Sequence, residues 1–552
     1  MKILLRRVVT AIALRTRYNL QALKFVPLIA LLLCFSATGL AQEPAVIGQT
    51  VLVVPFENQS KAPGLEWIGD SFPELLQERL NSPTLYVLPR EDRLRAYDRL
   101  GIPVHIRPSR ATLYRMAEQM DVDYVVLGEY NFDGHTFSVQ AQLLDMRRQR
   151  LQPAMTESGP LVQLIDIQTG LSWDILHRLY PELSTTRAAF VTQAPSVRLD
   201  AFENYVKGVT APNNEQQIQS FREALRLSPE YPSAALQLGK AYYHGAKYDQ
   251  AVVWLSRIPS ANPHFGEANF YLGLAAYHQG DFPRAESAFN AVAQRLPLAE
   301  IYNNLGVVLD HRDRKLAVEH FQKAVDDDPN DADYRFNLGV ALYRNGDRAA
   351  AARQLRECTA LRSNDPEARA LLSAIDDAPG QHAVVPASLK IPVERLRTDY
   401  DENSFRQLAL KLAAAAEERF SRTDAATHAQ FHADRGHQLL AQGFHAEAER
   451  EFRQSLTLNP SNAEAHAGLA GALETTDPLA ARSEAESALR LRQSAEPFLV
   501  LARLDLRDNK PATAGQEVDQ ALRLEPGNLA ALALKDTVAA KLAQEAQPLP
   551  NQ

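Results

Sequence analysis

A chain of 552 residues exceeds what a single hydrophobic core organises, so several domains are expected. Charged residues at 23% and hydrophobic residues at 45% exclude a disordered chain, and only two cysteines, Cys34 and Cys358, exclude a disulfide framework or a cysteine-based zinc site. The net charge of −8 argues against nucleic acid as a partner, because phosphate binding needs basic patches.

Residues 1–41 read as an export signal. Lys2, Arg6, Arg7, Arg15, Arg17 and Lys24 form a basic leader, the apolar run Phe25–Phe35 follows, and Gly39 and Ala41 stand in cleavage positions before Gln42. Loss of these basic residues leaves a still more acidic mature chain, periplasmic or secreted. The alternative is an uncleaved anchor, since Phe25–Leu40 is nearly long enough to span a bilayer. Only in that case does the amino-terminal segment associate with a membrane.

Residues 48–182 read as an α/β domain. The apolar run Val51–Val54 predicts a buried strand, and Leu85–Leu88 a second. Phe72, Leu75, Leu76 and Leu80 form one helix face, and helices are also predicted over 90–100, 112–120 and 160–180. Two strands over 123–133 and 135–145 meet at Asp133-Gly134, a favoured hairpin turn. With Pro55–Ser60, Trp67–Asp70 and Tyr124–Tyr130, this order of elements resembles a family of bacterial domains that includes the amino-terminal domain of the periplasmic Tol-system protein TolB. The resemblance implies a non-catalytic docking module of the cell envelope.

Residues 231–297 carry one pattern twice, 34 residues apart. Leu238-Gly239, Tyr242, Ala251, Leu255, Ile258 and Pro263 mark the first copy; Leu272-Gly273, Ala276, Ala285, Phe289, Val292 and Pro297 mark the second. Small residues at Gly239, Gly273, Ala251 and Ala285 let paired helices approach closely, Leu255 and Phe289 fill the space between, and the prolines stop the second helix. The pattern is similar to the tetratricopeptide repeat, a helix–turn–helix unit of that length. A first unit precedes them at Phe221, Ala224 and Pro229, and further units follow at Leu305-Gly306, Phe321 and Pro329 and at Leu338-Gly339, Leu355 and Cys358. This first array covers 197–376. Residues 377–399, with no helical period over Ala378–Pro386, read as a linker. A second array over 400–548 repeats the frame at Gly436, Ala448, Phe452 and Pro460 and ends in a capping helix from Leu529. The expected fold class is thus an α/β amino-terminal domain followed by an all-α tetratricopeptide superhelix of two arrays.

In such a superhelix the first helix of each unit lines the inner wall, and the resemblance implies that this wall binds protein or peptide segments. The first helices offer Lys240, Tyr243 and His244, then Phe270, Tyr277 and His278. The next two offer Asn303 and His311, then Phe336, Tyr343 and Arg344. Aromatic residues and arginine concentrate binding energy at interfaces, although Tyr243 and Tyr277 also suit packing between repeats. The carboxylate clamp of chaperone-binding relatives has candidates in Asn304 and Asn337, but Lys240, Leu274, Val307 and Val340 stand where its other asparagines are needed.

Catalytic signatures are absent from the sequence: no phosphate-cradling glycine loop, nucleophile elbow or zinc-protease helix occurs. The acidic run Asp326–Asp333 lacks the glycine and closing glutamate of a calcium loop and reads as a solvated connector. His428 and His432, one helical turn apart, offer two metal ligands, yet His432 holds the large-residue slot of its repeat and reads as a packed histidine. Neither a metal nor a cofactor is therefore expected. The sequence points to an exported, non-enzymatic scaffold. The alternatives are an envelope enzyme with its site in the α/β domain and a structural subunit of an envelope assembly.

Overall fold

The computed structural model describes residues 48–103, 108–181, 183, 185–192, 196–377, 394–441 and 443–545. The export leader and the break at 378–393 lie outside the described residues.

The amino-terminal domain is a mixed sheet between two helical layers. Strands β1 (Gln49–Val53), β3 (Leu85–Val87), β4 (Tyr124–Phe132), β5 (Phe137–Asp145) and β6 (Arg150–Leu151) run in the order β3-β1-β4-β5-β6. Short β2 (Glu57–Asn58) pairs with β4, and β7 (Met155–Gly159) with β5. β1 is parallel to both neighbours, with Val51 opposite Val87 and Tyr124, whereas β4 and β5 are antiparallel. Its continuous apolar run follows from burial on both faces. Val51 and Val53 pack under α1 (Trp67–Leu80) and α4 (Leu164–Leu179); Leu52 and Val54 pack under α2 (Arg90–Arg99) and α3 (Arg110–Gln119). A further short helix, α5, covers Arg187–Thr192.

The hairpin differs from the expected two-residue turn. Phe132 pairs with Phe137, leaving a four-residue loop in which the Asp133 carboxylate accepts from the amides of His135 and Thr136, each at 2.8 Å. Gly134 takes φ +100°, which a side chain would resist. β2, β6 and β7 escape the sequence reading because they are short and carry no apolar alternation.

The rest of the described chain is helical. The first array comprises α6 (Leu199–Thr210), α7 (Asn214–Leu227), α8 (Pro232–His244), α9 (Tyr248–Leu255), α10 (Phe265–His278), α11 (Phe282–Ala293), α12 (Ala299–Asp310), α13 (Arg314–Asp327), α14 (Ala332–Arg344), α15 (Arg348–Leu361) and α16 (Pro366–Asp376). The second comprises α17 (Glu402–Phe420), α18 (Ala425–Ala441), α19 (His445–Leu458), α20 (Ala463–Leu473), α21 (Pro478–Leu491), α22 (Ala495–Arg507), α23 (Pro511–Leu524) and α24 (Leu529–Glu545).

The close approach that the glycines demand is real. A Cβ on Gly239 would lie 2.5 Å from Leu255 Cγ, and one on Gly273 would lie 2.7 Å from Phe289. Cys358 is a fully buried small residue whose thiol burial pushes up to about 11. The domains are tied together: Trp67 of α1 meets Phe202 of α6 edge-on, and Tyr205 donates to Glu74 at 3.3 Å. Leu410 of α17 enters the core beneath α2 and α3, and the Arg450 guanidinium of α19 lies 4.3 Å from the Tyr180 ring.

Candidate peptide-binding groove

Residues 394–401 form no helix or strand, yet they are held at nearly every step against α12, α14 and α16. Asn337 of α14 donates from Nδ2 to the Arg395 carbonyl at 2.8 Å and accepts from the Arg395 amide at 2.7 Å. Asn304 of α12 does the same for Arg397, donating and accepting at 2.8 Å. Asn303 adds a donation to the Arg395 carbonyl at 3.0 Å and accepts from Asn337 Nδ2 at 2.6 Å. All three asparagines are 0% exposed. Buried amides are costly unless satisfied, and here an extended backbone satisfies them. The contact reads main chain, so it is indifferent to side-chain identity.

Side chains supply the selectivity. The Arg395 guanidinium lies 3.7 Å above the Phe336 ring centre and bonds Asp333 at 2.7 Å, both oxygens of Asp365 at 2.7 and 2.9 Å, and Glu367 at 3.0 Å. Bidentate pairing of this kind is the strong form of ion pair. The bond from Arg395 holds the Asp365 carboxyl below its ordinary range. Arg397 pairs with Asp331 and lies 5.0 Å from the Tyr334 ring centre.

Asp331 and Asp365 are also the amino-terminal caps of α14 and α16, accepting from Tyr334 N and Ala368 N at 3.1 Å. Each carboxylate thus faces both the positive end of a helix and an arginine. Glu394, buried, pairs with Arg344, which also bonds Asp310 at 2.5 Å. Farther along, the Asp401 amide donates to Glu300 at 2.9 Å, and the Tyr400 ring lies 5.2 Å from Phe270.

Of the inner-wall residues singled out in the sequence, Phe270, Asn303, Phe336 and Arg344 meet this segment, as do the clamp candidates Asn304 and Asn337. The others lie elsewhere. Lys240 pairs with Glu267 at 2.5 Å and sits over Tyr271. Tyr243 and His244 pack with Tyr271, and His278 stacks on Tyr248 in the next unit's contact. Tyr277 packs against Phe282 and His311, with His311 stacked on Phe282. Tyr343 neighbours Arg348.

The acidic run divides. Asp326, Asp327 and Asp328 are exposed, whereas Asp331 and Asp333 turn inward to the two arginines, so the run is only partly a solvated connector. Sequence reasoning passed over Arg395 and Arg397 because they fall in the expected linker, and Tyr400 because it stands at the very start of the expected second array. The available signal was Arg-Leu-Arg opposite that acidic run. His428 and His432 do not reach the groove; both meet Glu417 of α17.

Tetratricopeptide-repeat models match residues 218–268, 260–300 and 433–496, and a TPR-repeat model matches 315–346. The helical arrays are built of tetratricopeptide repeats. Among solved structures, MamA 41-end from Desulfovibrio magneticus RS-1 is 24% identical, with TM-score 0.29, covering 31% of this chain and 99% of its own. YrrB, described as a TPR protein with an unusual peptide-binding site, is 18% identical, with TM-score 0.29, covering 32% of this chain and 90% of its own. A tetratricopeptide repeat protein from Parabacteroides merdae ATCC 43184 is 11% identical, with TM-score 0.24, covering 56% of this chain and 98% of its own. No curated protein matches the chain. Repeats of this kind are protein-interaction scaffolds with extended concave surfaces.

Proposed function

We propose that the first array is a receptor for extended basic segments and that Glu394–Asp401 is its resident occupant. The observation that carries this reading is the pairing of Asn337 and Asn304 with both backbone groups of Arg395 and Arg397. The matching partner chemistry is a segment with an acid, two arginines at alternate positions and an aromatic three residues on. The chain is then an exported, non-enzymatic scaffold of the cell envelope that exchanges its own segment for a partner's. The leader supports export, and the TolB resemblance supports an envelope docking role for the α/β domain.

A tethered occupant competes at an effective concentration in the millimolar range, so a free peptide binds the intact chain weakly. The test is titration of a labelled peptide of sequence 394–401 into the full mature chain and into the chain carrying Arg395→Glu and Arg397→Glu. The freed variant should bind the peptide at least about tenfold more tightly, and adding Asn304→Ala and Asn337→Ala should remove that binding. Failure of the freed variant to bind, or binding that ignores the asparagines, overturns the reading. Amino-terminal sequencing should begin near Gln42; recovery of Met1 from membranes shows an anchor.

A further inference from the structure

A second polar cluster lies away from the groove, where α17, α18 and α19 meet. His428 and His432 are one turn apart on α18, so both rings leave the same face. Glu417, in the last turn of α17, reaches both: Oε1 is 2.8 Å from His428 Nε2, and Oε2 is 3.4 Å from His432 Nε2. The two Nε2 atoms are 3.2 Å apart. Behind them, Glu451 of α19 holds His432 Nδ1 at 2.8 Å and meets Arg435 Nε at 3.3 Å. His432, Glu417 and Glu451 are all buried.

Glu451 holds His432 at Nδ1, so Nε2 of that ring faces inward, as do both Glu417 oxygens and Nε2 of His428. Glu417 Oε2 is enclosed without a hydrogen-bond partner. Two ring nitrogens and a carboxylate thus converge on one point.

We propose that Glu417, His428 and His432 form a divalent transition-metal site, best suited to zinc. A tetrahedron with metal–ligand bonds of about 2.0–2.1 Å has edges of roughly 3.3 Å; with one donor atom from each residue, the three lie within 4.8 Å of one another, and His428 Nε2 stands 2.8 Å from Glu417 Oε1 and 3.2 Å from His432 Nε2. Two imidazoles and a carboxylate suit zinc, with the fourth position left to water. Glu451 is the outer carboxylate that fixes the tautomer and orientation of a ligating histidine. The site has a structural use, because Leu410 and Glu417 are the buried side chains of α17. A metal would pin the end of that helix, which follows directly from the groove segment, to α18.

The chain, stripped with a chelator and dialysed, is titrated with zinc by calorimetry and with cobalt by visible absorption. Wild type should bind one equivalent of zinc, release protons on binding, and give the intense visible bands of tetrahedral cobalt. Glu417→Gln and His428→Asn should weaken binding at least about 100-fold and Glu451→Gln about 10–100-fold, with helicity checked by circular dichroism. His466→Asn should change nothing, since among the described residues His466 pairs with the single carboxylate of Glu484. No uptake by wild type overturns the proposal, and so does uptake that survives Glu417→Gln, which is adventitious binding to surface histidines. Should the variants fail to fold, the cobalt spectrum of wild type decides: tetrahedral bands support the site, and pale octahedral bands or none refute it.

Discussion

Replacing Asn337 by alanine isolates the groove's contact with main chain. The substitution removes two hydrogen bonds to Arg395, at 2.8 and 2.7 Å, and one to Asn303 at 2.6 Å. The first two act on the segment. At about 0.5–1.5 kcal/mol each, docking weakens by about 1–3 kcal/mol, roughly 5- to 150-fold. The third is internal to the wall and costs the array about 1 kcal/mol, too little to unfold it. Hydrogen exchange reads the difference directly, because the Arg395 amide donates to Asn337 and the Arg397 amide to Asn304. In Asn337→Ala these amides should exchange faster by about that factor, while α12 and α14 keep their protection. Unchanged exchange at Arg395 and Arg397 would refute the reasoning, as would loss of protection throughout both helices.

Other perturbations separate groove from core. Phe336→Ala should cost the array about 3–5 kcal/mol in chemical denaturation, because the ring is 0% exposed, and it therefore cannot serve as a clean probe of binding. Leu255→Ala should cost about 2–5 kcal/mol by the same assay. Gly273→Leu should unfold its neighbourhood through overpacking against Phe289, seen as lost helicity. Glu74, enclosed beside Tyr205, is pushed up to about 7 from 4.5 by burial, despite Arg90 and Arg93. A raised pKa means the folded state holds the proton more tightly, so its contribution is full below about pH 4.5 and lost as pH rises through about 7. Glu74→Gln should therefore stabilise the protein by up to about 3 kcal/mol near pH 8 and change little near pH 4, as melting curves at the two pH values will show.

The parts legible in the sequence are those with a period. Val51–Val54 announced a strand buried on both faces, and the spacing of Gly239, Gly273, Leu255 and Phe289 announced paired helices. The groove's occupant was illegible because Glu394–Asp401 has no period of its own; its order comes from contacts with α10, α12, α14 and α16. A faint signal existed, since Asn304 and Asn337 precede Leu-Gly in consecutive units, where Gln237 and Tyr271 stand in the earlier ones. The His428–His432 pair was visible at its spacing of four, but Glu417 and Glu451 come from other helices at separations no motif fixes. Tyr277, which packs against Phe282 and His311, could be read either way from the sequence. Aromatic character on a first helix does not tell whether a ring faces a groove or the next unit.

The central claim, that this groove holds an extended segment supplied by the chain itself, is tested most directly at Tyr400. Its hydroxyl lies 2.6 Å from where a Cβ on Gly266 would be, and its ring faces Phe270. A photo-crosslinking phenylalanine analogue placed at this position in the full chain should join α10 within the same molecule, and Asn304→Ala with Asn337→Ala should suppress the product. Crosslinks scattered over other surfaces, or an α10 crosslink that the two asparagine changes leave undiminished, would contradict the account.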